Sequence, residues 1–169
     1  MKHLKLFEEL NKEEHPLGIE VERYTHDNDN NYGVIGGSTF YAPKGEGLSD
    51  YGDRKISAVI CKTAKLFKYE DSREFAEDNN LMDIEYPLLK KRTGLSTLQQ
   101  VDDAQHEREY PIGMSEEYRR NPNLFFWAFQ EIAAIQLKKM GYDGVEWRCE
   151  DDMNWIQYQI WNRDIIIES

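Results

Sequence analysis

The stretch that decides the fold class is the tail of the chain. It runs Gly141-Tyr142-Asp143-Gly144-Val145-Glu146-Trp147, then Trp155-Ile156-Gln157-Tyr158-Gln159-Ile160-Trp161, then Ile165-Ile166-Ile167. Tyr142-Asp143-Gly144 reads as a turn and Val145-Glu146-Trp147 as a strand. After the acidic turn Glu150-Asp151-Asp152, residues 155–161 form a second strand and residues 165–167 a third. No helix-length segment separates them, so the tail predicts sequential, antiparallel strands. Immediately upstream lies the strongest helix, residues 123–140. It carries Leu124, Phe125, Phe126, Trp127, Phe129, Ile132, Ile135 and Leu137 and leaves little polar face near its start. A helix that apolar belongs in the core. Asn123 after Pro122 suits its cap, and Gly141 its end.

Further out, Ile19-Glu20-Val21-Glu22-Arg23-Tyr24 alternates as a strand does. Ser38-Thr39-Phe40-Tyr41 is a short aromatic strand after a glycine-rich turn. Residues 56–61 (ISAVIC) are an apolar run of strand length, and residues 64–67 continue it or pair nearby. Residues 70–81 are acidic and predicted helical. Residues 86–100 are helical or mixed, interrupted by Gly94. Residues 101–120 are the most polar, and read as an insertion or a mobile loop. The first 18 residues, with Leu4, Leu6, Phe7 and Leu10 on one face, predict a short helical segment. Together these readings predict an α+β fold with antiparallel sheets. The expected organisation is one domain over 1–169, with residues 82–121 a candidate insertion.

A chain of 169 residues supports one domain with a core. Lys plus Arg number 21 and Asp plus Glu 32, a formal net charge of -11. That balance argues against a binder of nucleic-acid backbone and against a polybasic membrane surface. Apolar residues at 40% argue against wholesale disorder. Cys61 and Cys149 make no disulfide scaffold and no zinc spacing. No apolar run approaches the ~20 residues of a membrane span, and the start, MKHLKLFEELNKEEH, lacks a signal peptide's apolar stretch. A cytoplasmic protein is expected.

Familiar motifs fail. Asp27-Asn28-Asp29-Asn30-Asn31 begins like a calcium loop, but the sixth position is Tyr32 and the twelfth Ser38, where glycine and a bidentate glutamate are needed. His3, His15, His26 and His106 are scattered, with no nucleophile spacing around them. Gly33, Gly36 and Gly37 make neither a dinucleotide fingerprint nor a phosphate loop.

What remains is an ordered constellation. An early strand carries Arg23, with His26 just after it. A glycine turn leads into Gly37-Ser38-Thr39-Phe40-Tyr41-Ala42, and Tyr51-Gly52 follows ten residues on. The chain closes with Gly141-Tyr142-Asp143-Gly144 and the strand holding Gln157. This order, over residues 19–167, resembles the ADP-ribosyltransferase-like fold, especially small forms found in bacteriophages and bacterial toxins. In that family an early strand presents Arg or His to NAD. A Gly-x-x-Phe-Phe/Tyr-Ser/Ala strand and a Tyr-Gly step follow. A late Gly-Tyr-Asp-Gly turn precedes a strand whose first residue is usually Glu.

The resemblance implies split antiparallel sheets with flanking helices, and NAD as a substrate held folded. Arg23 would pair with a phosphate bidentately, or His26 would hold the adenosine ribose. Ser38 and Thr39 would support the site through their hydroxyls. Tyr41 and Tyr51 would stack on nicotinamide. The usual glutamate falls on Gln157, which can bond a ribose hydroxyl but offers no charge to an oxocarbenium-like transition state. Glu146, on the neighbouring strand, and Asp152, in the turn, are the substitutes. The implied activity is NAD-dependent mono-ADP-ribosyl transfer to a host macromolecule with release of nicotinamide, by a phage or toxin effector. The alternative is a catalytically inactive acidic protein of the same fold that binds and blocks a basic host protein surface. A structural protein with no ligand is a third class. The bland assignments stand beside these: Arg23 in a surface ion pair with Glu20 or Glu22, Tyr41 and Tyr51 in the core, Gln157 exposed on a sheet. Strand register decides which way Arg23 faces.

Overall fold

The computed structural model describes residues 18–25, 38–47, 52–107, 116, 123–149 and 155–169. The opening segment, His26, the Asn-rich loop, the glycine turn, Tyr51 and Asp152 lie outside the described residues. The strands are β1 (Gly18–Thr25), β2 (Thr39–Pro43), β3 (Arg54–Cys61) and β4 (Leu66–Tyr69). The helices α1 (Ser72–Asp78), α2 (Pro87–Thr93), α3 (Leu98–Glu107) and α4 (Asn123–Lys139) follow. Strands β5 (Gly144–Cys149), β6 (Trp155–Ile160) and β7 (Ile166–Glu168) close the chain, a short 3₁₀ turn at Arg163–Ile165 leading into β7. The architecture is α+β, as the tail predicts.

The strands form one seven-stranded sheet in the order β4-β5-β6-β2-β1-β3-β7. Every pairing is antiparallel except β4 with β5, which is parallel. This corrects the expectation of antiparallel pairing throughout. The chain leaves β4 and returns as β5 only after all four helices, and a long helical crossover lets it re-enter in the same direction.

Local signals set the helix boundaries. The Asp71 side chain accepts from the backbone N–H groups of Arg73 and Glu74, capping α1. Gly94 takes φ 80° and stops α2, the break the sequence predicts. Gly141 takes φ 87° just past α4. The polar stretch after Val101 is not a loop where it is described: α3 continues through it to Glu107. Leu98, Val101 and Ala104, spaced by three, are buried beneath its polar surface. With Met82, Leu89 and Leu95 they belong to the larger core, so residues 82–104 of the candidate insertion pack into the body of the fold.

The two faces of the sheet bury different cores. On the helix face, Val145 and Trp147 of β5 meet Phe75, Leu98, Phe129, Ile132 and Leu137. On the opposite face, Val21, Tyr41, Ala58, Ile60, Tyr158 and Ile160 pack with Ile165. The sheet curls around this second core. Strands β2 and β7 are three spacings apart, roughly 14 Å if flat at ~4.8 Å each. Yet the Tyr41 hydroxyl donates to Glu168 Oε1 of β7 at 2.5 Å.

Candidate functional site

Strands β1 and β2 are the join between the two halves of the sheet, and they pair only at Val21↔Pro43 and Glu22↔Ala42. Beyond that point β1 continues along β3, and β2 along β6. The β1–β2 ladder therefore ends there, with Arg23, Tyr24 and Thr25 beyond it on β1 and Thr39, Phe40 and Tyr41 on β2. Three of the residues expected to touch a ligand, Arg23, Thr39 and Tyr41, lie at this unpaired stretch, with Ser38 just before β2.

Side-chain alternation sorts these residues onto two faces. Register aligns Tyr41 with Tyr158 and Tyr158 with Glu146, so all three share the face of the second core. Thr39 is on the same face, opposite Ile160. Arg23 joins them: its Nε and Nη2 donate to Glu168 Oε1 at 3.3 and 3.2 Å. Its Cζ stands 5.7 Å from the centroid of the Tyr41 ring. Burial, then the Glu168 carboxylate, push the Tyr41 phenol far above its ordinary pKa. The guanidinium is thus already paired with the partly exposed Glu168 carboxylate, and a phosphate would have to share or displace it. Glu146 is almost fully buried, 2.5 Å from Arg148 Nε and 3.7 Å from Lys68 Nζ. Two cations hold it, so it is an ion-paired carboxylate.

Gln157 lies on the other face. Its partner across the ladder is Trp147, of the helix-side core. Gln130, in α4, donates from Nε2 to Gln157 Oε1 at 2.6 Å. Gln159 accepts from Trp147 Nε1 at 3.0 Å and donates from Nε2 to Ser38 Oγ at 3.1 Å. Ser38 and Gln157 therefore belong to two separate hydrogen-bonded groups on the helix-side face of the sheet. Gln157 and Glu146 do not share a site, although their positions are close in β5 and β6.

Three participants escape the sequence reading. Gln130 and Gln159 are fully buried amides inside apolar runs, where a lone polar residue carries no signal of its own. Glu22 reads as half of a surface ion pair with Arg23, but the two alternate to opposite faces. Glu22 is 2% exposed, with Oε1 accepting from the Gly47 N–H at 2.9 Å and Oε2 2.6 Å from Lys55 Nζ. The Lys55 ammonium, with backbone N–H groups of Gly45 and Gly47, pulls its pKa down to about 2. A side chain at Gly47 would press into this carboxylate, its Cβ 2.8 Å from Oε1, so glycine closes the turn over Glu22.

Among the described residues, no group of three or more His, Cys, Asp or Glu could hold a metal ion. Among the same residues no helix is long and apolar enough to cross a membrane. Compared with protein-family models, with curated proteins and with solved structures, the chain matches none.

Proposed function

We propose that this chain is an NAD-dependent mono-ADP-ribosyltransferase of the ADP-ribosyltransferase-like fold, a phage or toxin effector acting in the host cytoplasm. The observation that carries the reading is the parting of β1 and β2. It leaves β1 and β2 without ladder pairing at the centre of the sheet beside Arg23, Thr39 and Tyr41, with Ser38 just before β2. The resemblance implies split sheets and a folded dinucleotide; here the strands form one continuous sheet, joined at its centre by only two pairs. In the reaction, the bond between ribose C1′ and the nicotinamide nitrogen breaks, and its electron pair leaves with neutral nicotinamide. A nucleophilic atom of the host macromolecule bonds C1′ and gives up its proton. Arg23 would exchange part of its bond to Glu168 for a phosphate. Tyr41, Ser38 and Thr39 would supply ring and hydroxyl contacts. Gln157 would bond the ribose from the helix-side face of the sheet, which it shares with Ser38, opposite Arg23, Thr39 and Tyr41, supporting its position but not its developing charge.

One observation favours a second reading. Gln157 is neutral and its carbonyl oxygen is already taken by Gln130. On this reading the chain is catalytically inactive, and its net charge of -11 suits it to bind and block a basic host protein surface.

Saturation-transfer proton NMR with millimolar NAD separates the two. Transfer to the adenine and nicotinamide protons, with slow appearance of free nicotinamide, is the expected result. No transfer and no nicotinamide would refute the transferase and leave the blocking protein, to be pursued by titration with basic partners at varied salt.

A further inference from the structure

Gln130 sits in mid-α4 beside Phe129, Ile132 and Ala133, with no exposed surface. Its Nε2 donates to Gln157 Oε1, and its own Oε1 is buried without a partner. An unmet polar atom in a core is a cost that an apolar residue would avoid. Turning both amides round would make Gln130 Nε2 the orphan instead, and a buried N–H without a partner is rarer than a buried carbonyl without one. The arrangement with the Gln157 oxygen held by the helix is therefore the favoured one. Gln157 itself is only half-buried, and its Oε1 is the atom that the helix holds.

We infer that Gln130 is a positioning residue for side chain 157: it grips one atom of that side chain and leaves the other end to meet a ligand. This rests on the proposed NAD site. With glutamine at 157 the other end is an amide NH₂, a donor suited to a ribose or phosphate oxygen. With a carboxylate at 157, Gln130 would hold one oxygen through a charge-assisted bond and present the other, negative oxygen to the ribose. The helix is preset for either side chain, and the choice at 157 decides whether the site only binds or also assists cleavage.

The test compares the wild-type chain with Gln157→Glu, Gln130→Met and the double variant. Nicotinamide release from NAD is read by NMR, and melting temperatures are read in parallel. Gln157→Glu is expected to release nicotinamide at least about tenfold faster than wild type. Adding Gln130→Met removes about tenfold of that gain in kcat at unchanged KM, the order of one hydrogen bond to a charged group. A double variant that keeps the whole gain overturns the inference. If Gln157→Glu gains nothing while the wild type still shows saturation transfer to NAD, side chain 157 does not meet the ribose and the inference is overturned; if the wild type shows no transfer, the NAD reading fails, and exchange of the side-chain amide protons judges the Gln130 contact separately. The Gln130 NH₂ signals, assigned by their loss in Gln130→Met, should exchange slowly in wild type and at least tenfold faster in Gln157→Leu. Equal exchange in both overturns it.

Discussion

Replacing Glu22 by glutamine keeps the size of a buried side chain and removes its charge. In the native chain that charge is held by Lys55 Nζ at 2.6 Å and by the Gly47 N–H at 2.9 Å. The carboxyl pKa falls from 4.5 to about 2, so the folded state binds this proton less readily than the unfolded chain does. The stability it contributes is complete above pH ~4.5 and is lost as pH falls towards 2. A shift of that size corresponds to roughly 3 kcal/mol at ~1.36 kcal/mol per unit. Glu22 is buried but its partner Lys55 is 45% exposed, so solvent screens the pair, and about 1–2 kcal/mol is the expected net contribution. For a domain of this size that is roughly 3–6 °C in melting temperature. Thermal unfolding followed by circular dichroism at pH 7, 5, 3 and 2 measures it. Glu22→Gln should melt lower than wild type at pH 7 and 5, with the gap narrowing at pH 3 and closing near pH 2. A gap of equal size at every pH would mean that packing, not charge, sustains the site. No gap at pH 7 would refute the ion-pair reasoning.

Trp147→Phe leaves the Gln159 carbonyl without its indole donor and should cost about 1–3 kcal/mol in denaturant unfolding. Trp147→Ala should cost about 3–5 kcal/mol, and equal losses for the two would refute the hydrogen-bond account. Arg23→Ala removes a partly exposed ion pair with Glu168 and should change stability by less than about 1 kcal/mol. The same variant should weaken NAD binding at least about tenfold if the guanidinium meets a phosphate, and unchanged titration calorimetry would remove Arg23 from the site. Gly94→Ala forces a side chain into φ 80° and should destabilise by about 1 kcal/mol, read as a lower melting temperature.

Much of the secondary structure was legible because its signals are local. The alternation of residues 19–24, the apolar run 56–61 and the tail segments all became strands. Gly94 and Gly141 end helices where their freedom at positive φ predicts. Helix α3 was not legible, since one buried residue in three is a faint stripe among Gln, Asp and His. The parallel β4–β5 pair was not legible either, because its partners are about 78 residues apart and no local pattern records the direction of return.

The candidate site shows where the division falls. The sequence by itself determined an α+β chain of strongly acidic balance, and the order in which Arg23, Ser38, Thr39, Tyr41, Glu146 and Gln157 occur along it. The tertiary structure decided their company. Register sends Gln157 to Gln130 and Tyr158 to the opposite core, although the two are neighbours in the chain. It separates Arg23 from Glu22, pairing one with Glu168 and the other with Lys55. The physical reason is the two-residue period of a strand. A shift of one position exchanges every side chain between faces, and only the packing of distant elements selects between the two.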